Sequence, residues 1–188
     1  MQTDRQTVDI PKSTKGRKKI RLEIVDNSAN INIGENCKID NLYIYAAKQS
    51  KIIIEDNCQI SGELRCGFKS TIIVHKNTTF ASNVHMTAYE NTSILIDEDC
   101  MFSHNVIIRT SDGHYIFDEQ NNRINPSKSI KIGKHVWVSM NTTILKGVTI
   151  GDGAVIGIGS IVTHDIDSCC IAAGIPAKII KKNIHWKR

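Results

Sequence analysis

Seven histidines and six cysteines carry most of the chemistry open to this chain, and one histidine stands apart by its context. His114 ends the phrase TSDGH, at the mouth of the one long polar stretch, DGHYIFDEQNNRINPSK from Asp112 to Lys128. An imidazole titrates near neutrality and can withdraw a proton from an attacking hydroxyl, so His114 reads either as a general base or as an ordinary loop histidine. His75, His85 and His104 invite a metal reading. Zinc needs three or four convergent ligands, and these three fall at different positions of the repeat described below, so no metal is expected. Cys37, Cys58, Cys66, Cys100, Cys169 and Cys170 contain no C-x-x-C pair, which argues against structural zinc. No apolar leader precedes them and no run is long enough to span a membrane, so a reducing, cytoplasmic setting without a membrane span is expected. The charge of +5 comes partly from two basic runs, KSTKGRKKIR and KIIKKNIHWKR. Such runs are solvated tails or contacts for an anionic ligand. Aromatic residues are only 5% of the chain, too few for the stacking surfaces that bind single-stranded nucleic acid, so no nucleic-acid partner is expected.

These side chains must be positioned by the stretch from Ile130 to Ile166. There Ile132, Val138, Ile144, Ile150, Ile156 and Val162 recur every six residues, with Val136, Thr142, Val148, Ala154 and Ser160 interleaved four positions further on. A period of six fits neither a helix nor one long strand. It fits short strand pieces separated by bends, the pattern of a β-helical solenoid. Branched residues suit the extended pieces, while Gly133, Gly151 and Gly157 stand where a bend leaves no room for a β-carbon. Three hexads complete a coil, which would stack Ile132 on Ile150 at about 4.8 Å.

Earlier in the chain the same pattern is written more loosely, as INIGENCKI, IIIEDNCQI, IIVHKNTTF and ILIDEDCMF. Cys37, Cys58 and Cys100 share one position of it and read as small core residues. The expected organisation is a polar tail or cap over residues 1–19, a β-helix over 20–168 with an excursion at about 110–128, and a C-terminal cap over 169–188. A long loop inserted in a regular scaffold is usually functional or disordered.

The uninterrupted hexads, the phrase HVWVSMNTTILKGVTIGDGAVIGIGSIVTHDI, the closing AAGIPAKIIKK and the loop-opening TSDGH together resemble the hexapeptide-repeat acyltransferases, and among them the sugar and capsular polysaccharide O-acetyltransferases. The likeness is strong over roughly residues 83–182 and looser before. It implies an all-β, left-handed parallel β-helix, a homotrimer with active sites between subunits, and acetyl-CoA as co-substrate. It implies transfer to a sugar hydroxyl of a bacterial surface polysaccharide or its precursor. It places His114 as catalytic base, Trp137 beside the reaction centre as a wall of the acceptor or pantetheine channel, and Asn83 at the acceptor, where a turn asparagine is the equal alternative. Met140, Ile158 and Thr163 would follow the pantetheine arm, and Lys178 and Lys181 would meet the CoA phosphates. What orients His114 stays open among Asp112, Asp118 and a backbone carbonyl. The alternatives are N-acetylation of a nucleotide-linked amino sugar or acetylation of a small free acceptor. Further off stand a zinc hydratase of carbonic-anhydrase type and a solenoid that only binds glycan.

Overall fold

The computed structural model describes residues 7–16 and 19–188. Residues 1–6 and 17–18 of the expected N-terminal cap lie outside the described residues. Short strands stack in parallel into a left-handed β-helix of about seven coils, with the chain running over three faces in each coil. The first face stacks Thr7–Asp9, Asn30–Ile33, Lys51–Ile54, Thr71–Val74, Ser93–Ile96, Ile130–Ile132 and Thr149–Ile150. The second carries Thr79–Phe80, Met101–Phe102, Trp137–Val138, Val155–Ile156 and Ile171–Gly174. The third carries Ile20–Ile24, Val84–Ala88, Ile107–Arg109, Thr143–Ile144 and Ile161–Val162. Lys38–Ala46 and Gln59–Cys66 each bend across the second and third faces.

The hexads become columns. Ile33, Ile54, Val74, Ile96, Ile132 and Ile150 align one above another inside the first face, all essentially inaccessible to water. Phe80 and Phe102 continue the column of the second face, edge to face with ring centroids 5.0 Å apart. Each such side chain withdrawn from water contributes about 1.5–3 kcal/mol, and because coils touch only their neighbours the sum grows coil by coil. Cys37, Cys58 and Cys100 are buried at the first corner, where each thiol hydrogen donates to a backbone carbonyl.

The corners explain the remaining pattern. Between the first and second faces, Asn36, Asn57, Asn77, Asp99, His135, Gly153 and Cys169 all turn in the left-handed region, with φ from 52° to 67°. Asparagine, aspartate and glycine accept that region most readily, so His135 and Cys169 are unusual occupants. The expected steric reason for Gly133 also holds, since a β-carbon there would lie 2.1 Å from the Asp152 carboxylate. Most third corners turn in four residues, such as Ala47–Ser50, but after Arg109 the chain leaves the prism and returns only at Ile130.

Candidate active site

TSDGH is the hinge of that departure, and each residue has a distinct task. Thr110 is buried, bonded through its hydroxyl to Thr92, and its carbonyl accepts the Lys128 amide at 3.0 Å, which closes the neck of the excursion. The Ser111 hydroxyl accepts the Gly113 amide at 3.1 Å, and Gly113 takes φ +90°, a conformation that L side chains rarely adopt. Asp112 is held by Lys146 and by Asn125 Nδ2 at 2.9 Å. The Lys146 ammonium first, then the Asn125 amide, keep its carboxyl below the usual range. His114 follows with its ring exposed.

The excursion is a small hairpin. Phe117 bridges Arg123, the Ile124 amide donates to the Ile116 carbonyl at 2.9 Å, and Asp118 accepts the amides of Gln120 and Asn122 at 3.0 and 2.7 Å in the manner of an Asx turn. Asp112 and Asp118 are therefore both committed elsewhere, and neither is bonded to the His114 ring. What fixes His114 is its own backbone: Asn125 Nδ2 donates to the His114 carbonyl at 2.8 Å while Asn125 Oδ1 accepts the Ile116 amide at 2.7 Å. The hairpin is tied to the prism by Arg123, which bonds Glu90 at 2.7 Å and lies 4.0 Å above the Tyr115 ring, and by Ser127, which also donates to Glu90. His114 lines an open cleft of about 560 Å³ with Phe68, Tyr89, Glu90, Ser111 and Tyr115.

The other residues singled out in the sequence lie on different edges. Trp137 sits on the second face between Met101 and Val155, whereas His114 leaves from the corner joining the third and first faces, so one chain does not bring the two together. The Trp137 indole N–H is buried without a hydrogen-bond partner, which costs about 1–3 kcal/mol that packing must offset. Met140 and Ile158 stack at the corner after the second face, the Gly159 amide donating to the Met140 carbonyl at 2.9 Å, and expose an apolar edge. Thr163 stands one corner further on, after the strand Ile161–Val162. Lys178 and Lys181 are exposed in the terminal antiparallel hairpin formed by Ile171–Gly174 and Ala177–Lys181. Asn83 turns with φ 57° in an amide ladder, donating to Asn105 at 3.2 Å, which donates to Asn141 at 3.1 Å. It also borders a cleft of about 640 Å³ on the third face with Arg21, Tyr43, Glu63, Arg65 and His85. Among the described residues no three metal-binding side chains gather: His75 pairs with Glu55, His85 with Glu63, and His104 with Ser82.

Sequence reasoning missed two sets of residues. One is Asn125 with Lys146, Glu90 and Arg123, which shape the excursion. The other is the C-terminal segment. Trp186 stacks on His135 with ring centroids 3.9 Å apart, its indole donates to the His135 carbonyl at 3.0 Å, and its ring meets that of Trp137 at 5.9 Å. His135 Nε2 bonds the Trp186 carbonyl at 3.1 Å and Nδ1 bonds Asp99 at 2.6 Å. Both nitrogens can donate only in the imidazolium. The Trp186 carbonyl first, opposed by partial burial and aided by Asp99, raises the His135 pKa, with Arg188 acting weakly against it. A raised folded value means that this contribution is complete below the unfolded value of about 6.5 and is lost as pH rises through the folded one. Tryptophan emission is accordingly expected to change on raising the pH from neutral to alkaline in the native protein, and to lose that step in His135→Gln.

The model of the bacterial transferase hexapeptide (six repeats) matches residues 129–164. The polysialic acid O-acetyltransferase of Neisseria meningitidis is 36% identical over 89% of this chain and 80% of its own length. That of Escherichia coli O1:K1 is 43% identical over 72% of this chain, which spans less than half, 44%, of that relative. The crystal structure of the polySia-specific acetyltransferase NeuO superposes with a TM-score of 0.87 at 37% identity, over 94% of this chain and 75% of that one. A galactoside acetyltransferase in complex with coenzyme A follows at 0.53 and 25%, over 80% and 70%. With its seven-coil prism, its hexads and these relatives, the chain belongs to the hexapeptide-repeat acetyltransferase family.

Proposed function

We propose that the protein is an acetyl-CoA-dependent O-acetyltransferase that acetylates a sugar hydroxyl of a bacterial surface polysaccharide or its precursor. The observation that carries this reading is the placement of His114: the excursion exists to present one unencumbered imidazole at the rim of an open cleft. In this mechanism His114 withdraws the hydroxyl proton as the oxygen attacks the thioester carbonyl, and CoA leaves as the thiol in a direct transfer. Relatives named for polysialic acid favour a polymeric sugar as the acceptor.

The reading includes a homotrimer. His114 on one corner and Trp137, Met140 and Ile158 along another form a single site only if two copies meet. The excursion offers Tyr115, Ile116, Phe117 and Ile124, each at least half exposed, as the apolar surface for that meeting. The pantetheine arm follows the Met140–Ile158 edge, with Thr163 beyond it, and Lys178 and Lys181 face the CoA phosphates. Asn83 stands at the acceptor side. No helix among the described residues is long and apolar enough to cross a membrane, and the six unpaired thiols suit a reducing cytoplasm.

Acetyl transfer from acetyl-CoA to a panel of capsular and O-antigen saccharides, followed by release of free CoA, tests the activity. No transfer to any saccharide, with CoA still bound, would point to a different acyl acceptor. Replacing Lys178 and Lys181 together by Ala should weaken CoA roughly tenfold through lost charge-assisted hydrogen bonds, and dephospho-CoA less. Equal weakening of both would place these lysines away from the 3′-phosphate.

A further inference from the structure

We propose that Trp186 is a positioning residue of the acceptor site: strapped onto the second face, it fixes Trp137 so that the two indoles form an aromatic corner for the apolar face of a pyranose ring. The proposal rests on the reading above that Trp137 borders the acceptor.

The strap is built, not merely draped. From the terminal hairpin the chain returns along the corner between the first and second faces, crossing successive left-handed residues. The Ile184 amide donates to the Cys169 carbonyl at 2.9 Å, Trp186 engages His135, and Arg188 reaches the coils beyond. The guanidinium bonds Asp99 at 2.9 Å, the Thr79 hydroxyl at 3.0 Å, and the carbonyls of Asn77 and Cys100 at 3.2 and 2.8 Å. Five residues thus bond four coils across a span of five. Such an anchorage would be excessive for a solvated basic tail, and it explains why a histidine occupies a position where asparagine, aspartate or glycine is easier: His135 supplies the stacking surface and both hydrogen bonds.

What the strap carries is the second of only two tryptophans in the chain, set beside the first with ring planes at 48°. Two indoles at that angle meet in a bent aromatic surface, and both are half-buried, each leaving part of its ring open to a ligand. Carbohydrate rings present a patch of C–H groups that packs on aromatic faces, while their hydroxyls require polar neighbours. Those neighbours lie next in register. Met101, Thr79 and Gln59 continue the outward column from Trp137, and they line a groove of about 280 Å³ with Ser103 and His104. One wall, Thr79, is bound by Arg188. The strap therefore begins at the aromatic corner and ends at the groove, which suits an acceptor of more than one sugar residue. The buried, unpaired N–H of Trp137 gives the strap a task, because without the packed Trp186 ring the indole gains by turning its N–H to water.

Trp186→Ala leaves Trp137 as the sole emitter. The expected result is a red-shifted emission more accessible to acrylamide, a roughly tenfold higher KM for the saccharide acceptor, and an unchanged KM for acetyl-CoA. Trp186→Phe should restore most of the acceptor KM. Arg188→Ala, which keeps both tryptophans, should weaken the exciton couplet of the indole pair in circular dichroism while the β-sheet signal stays. An unshifted Trp137 emission, or equal changes in both KM values, would overturn the assignment. If the native protein transfers acetyl to no saccharide, the proposed activity falls, and the emission alone then decides whether Trp186 positions Trp137.

Discussion

His114→Ala should lower kcat for acetyl transfer to a saccharide by roughly 10²–10⁴-fold, the usual contribution of a positioned general base. A sugar hydroxyl is a weak nucleophile until its proton is being withdrawn, and no other imidazole shares the rim of the cleft. The fold should be indifferent to the change. The ring is exposed, and it is the backbone carbonyl, not the imidazole, that Asn125 holds. The thermal midpoint and CoA affinity should therefore stay at their native values. An amine acceptor such as hydroxylamine, which attacks with a free lone pair, should lose much less activity. Undiminished transfer to a saccharide in His114→Ala would sink the assignment of the base, whatever the acceptor proves to be.

The sequence showed the prism well because the relevant information is periodic. Ile132 on Ile150, the buried cysteines and the glycine bends each follow from a side chain meeting its copy one coil away, and that geometry repeats at fixed spacing. The excursion was legible as an interruption and His114 through its local phrase, since TSDGH encodes a hinge in five consecutive residues. Contacts without a period were not legible. Trp186 finds His135 over 51 residues and Arg188 finds Asp99 over 89, so a basic terminal run that reads as a solvated tail or an anion contact is clamped through these two residues. His135 did carry a usable signal, a bulky side chain at a corner otherwise held mainly by asparagine, aspartate and glycine. Asn83 shows the reverse: its corner position is fully explained by the amide ladder with Asn105 and Asn141, and an acceptor contact would come in addition to that.

Asn125 is the residue by which the second large effect can be measured, since its one amide joins Asp112, His114 and Ile116. Asn125→Asp changes no volume but replaces two donors by a carboxylate oxygen facing the Asp112 carboxylate and the His114 carbonyl. Two carboxylates then share the single ammonium of Lys146, and like charges at such range disfavour joint ionisation. The side chain is 8% exposed, so the unpaired His114 carbonyl costs about 1–3 kcal/mol. That converts to roughly ten- to a hundredfold in kcat/KM if the cost is met by displacing the TSDGH hinge. The solenoid stands without the excursion, because its columns bypass it, Ile94 stacking on Ile130 in the first face and Ile108 on Ile144 in the third, and the main thermal transition should move little. Hydrogen exchange at the Ile116 amide should quicken while amides of the inner columns keep their protection. Unchanged exchange at Ile116 together with full activity would show that His114 is held by something other than this amide. Faster exchange with full activity would show that the base tolerates a looser hinge than direct transfer requires.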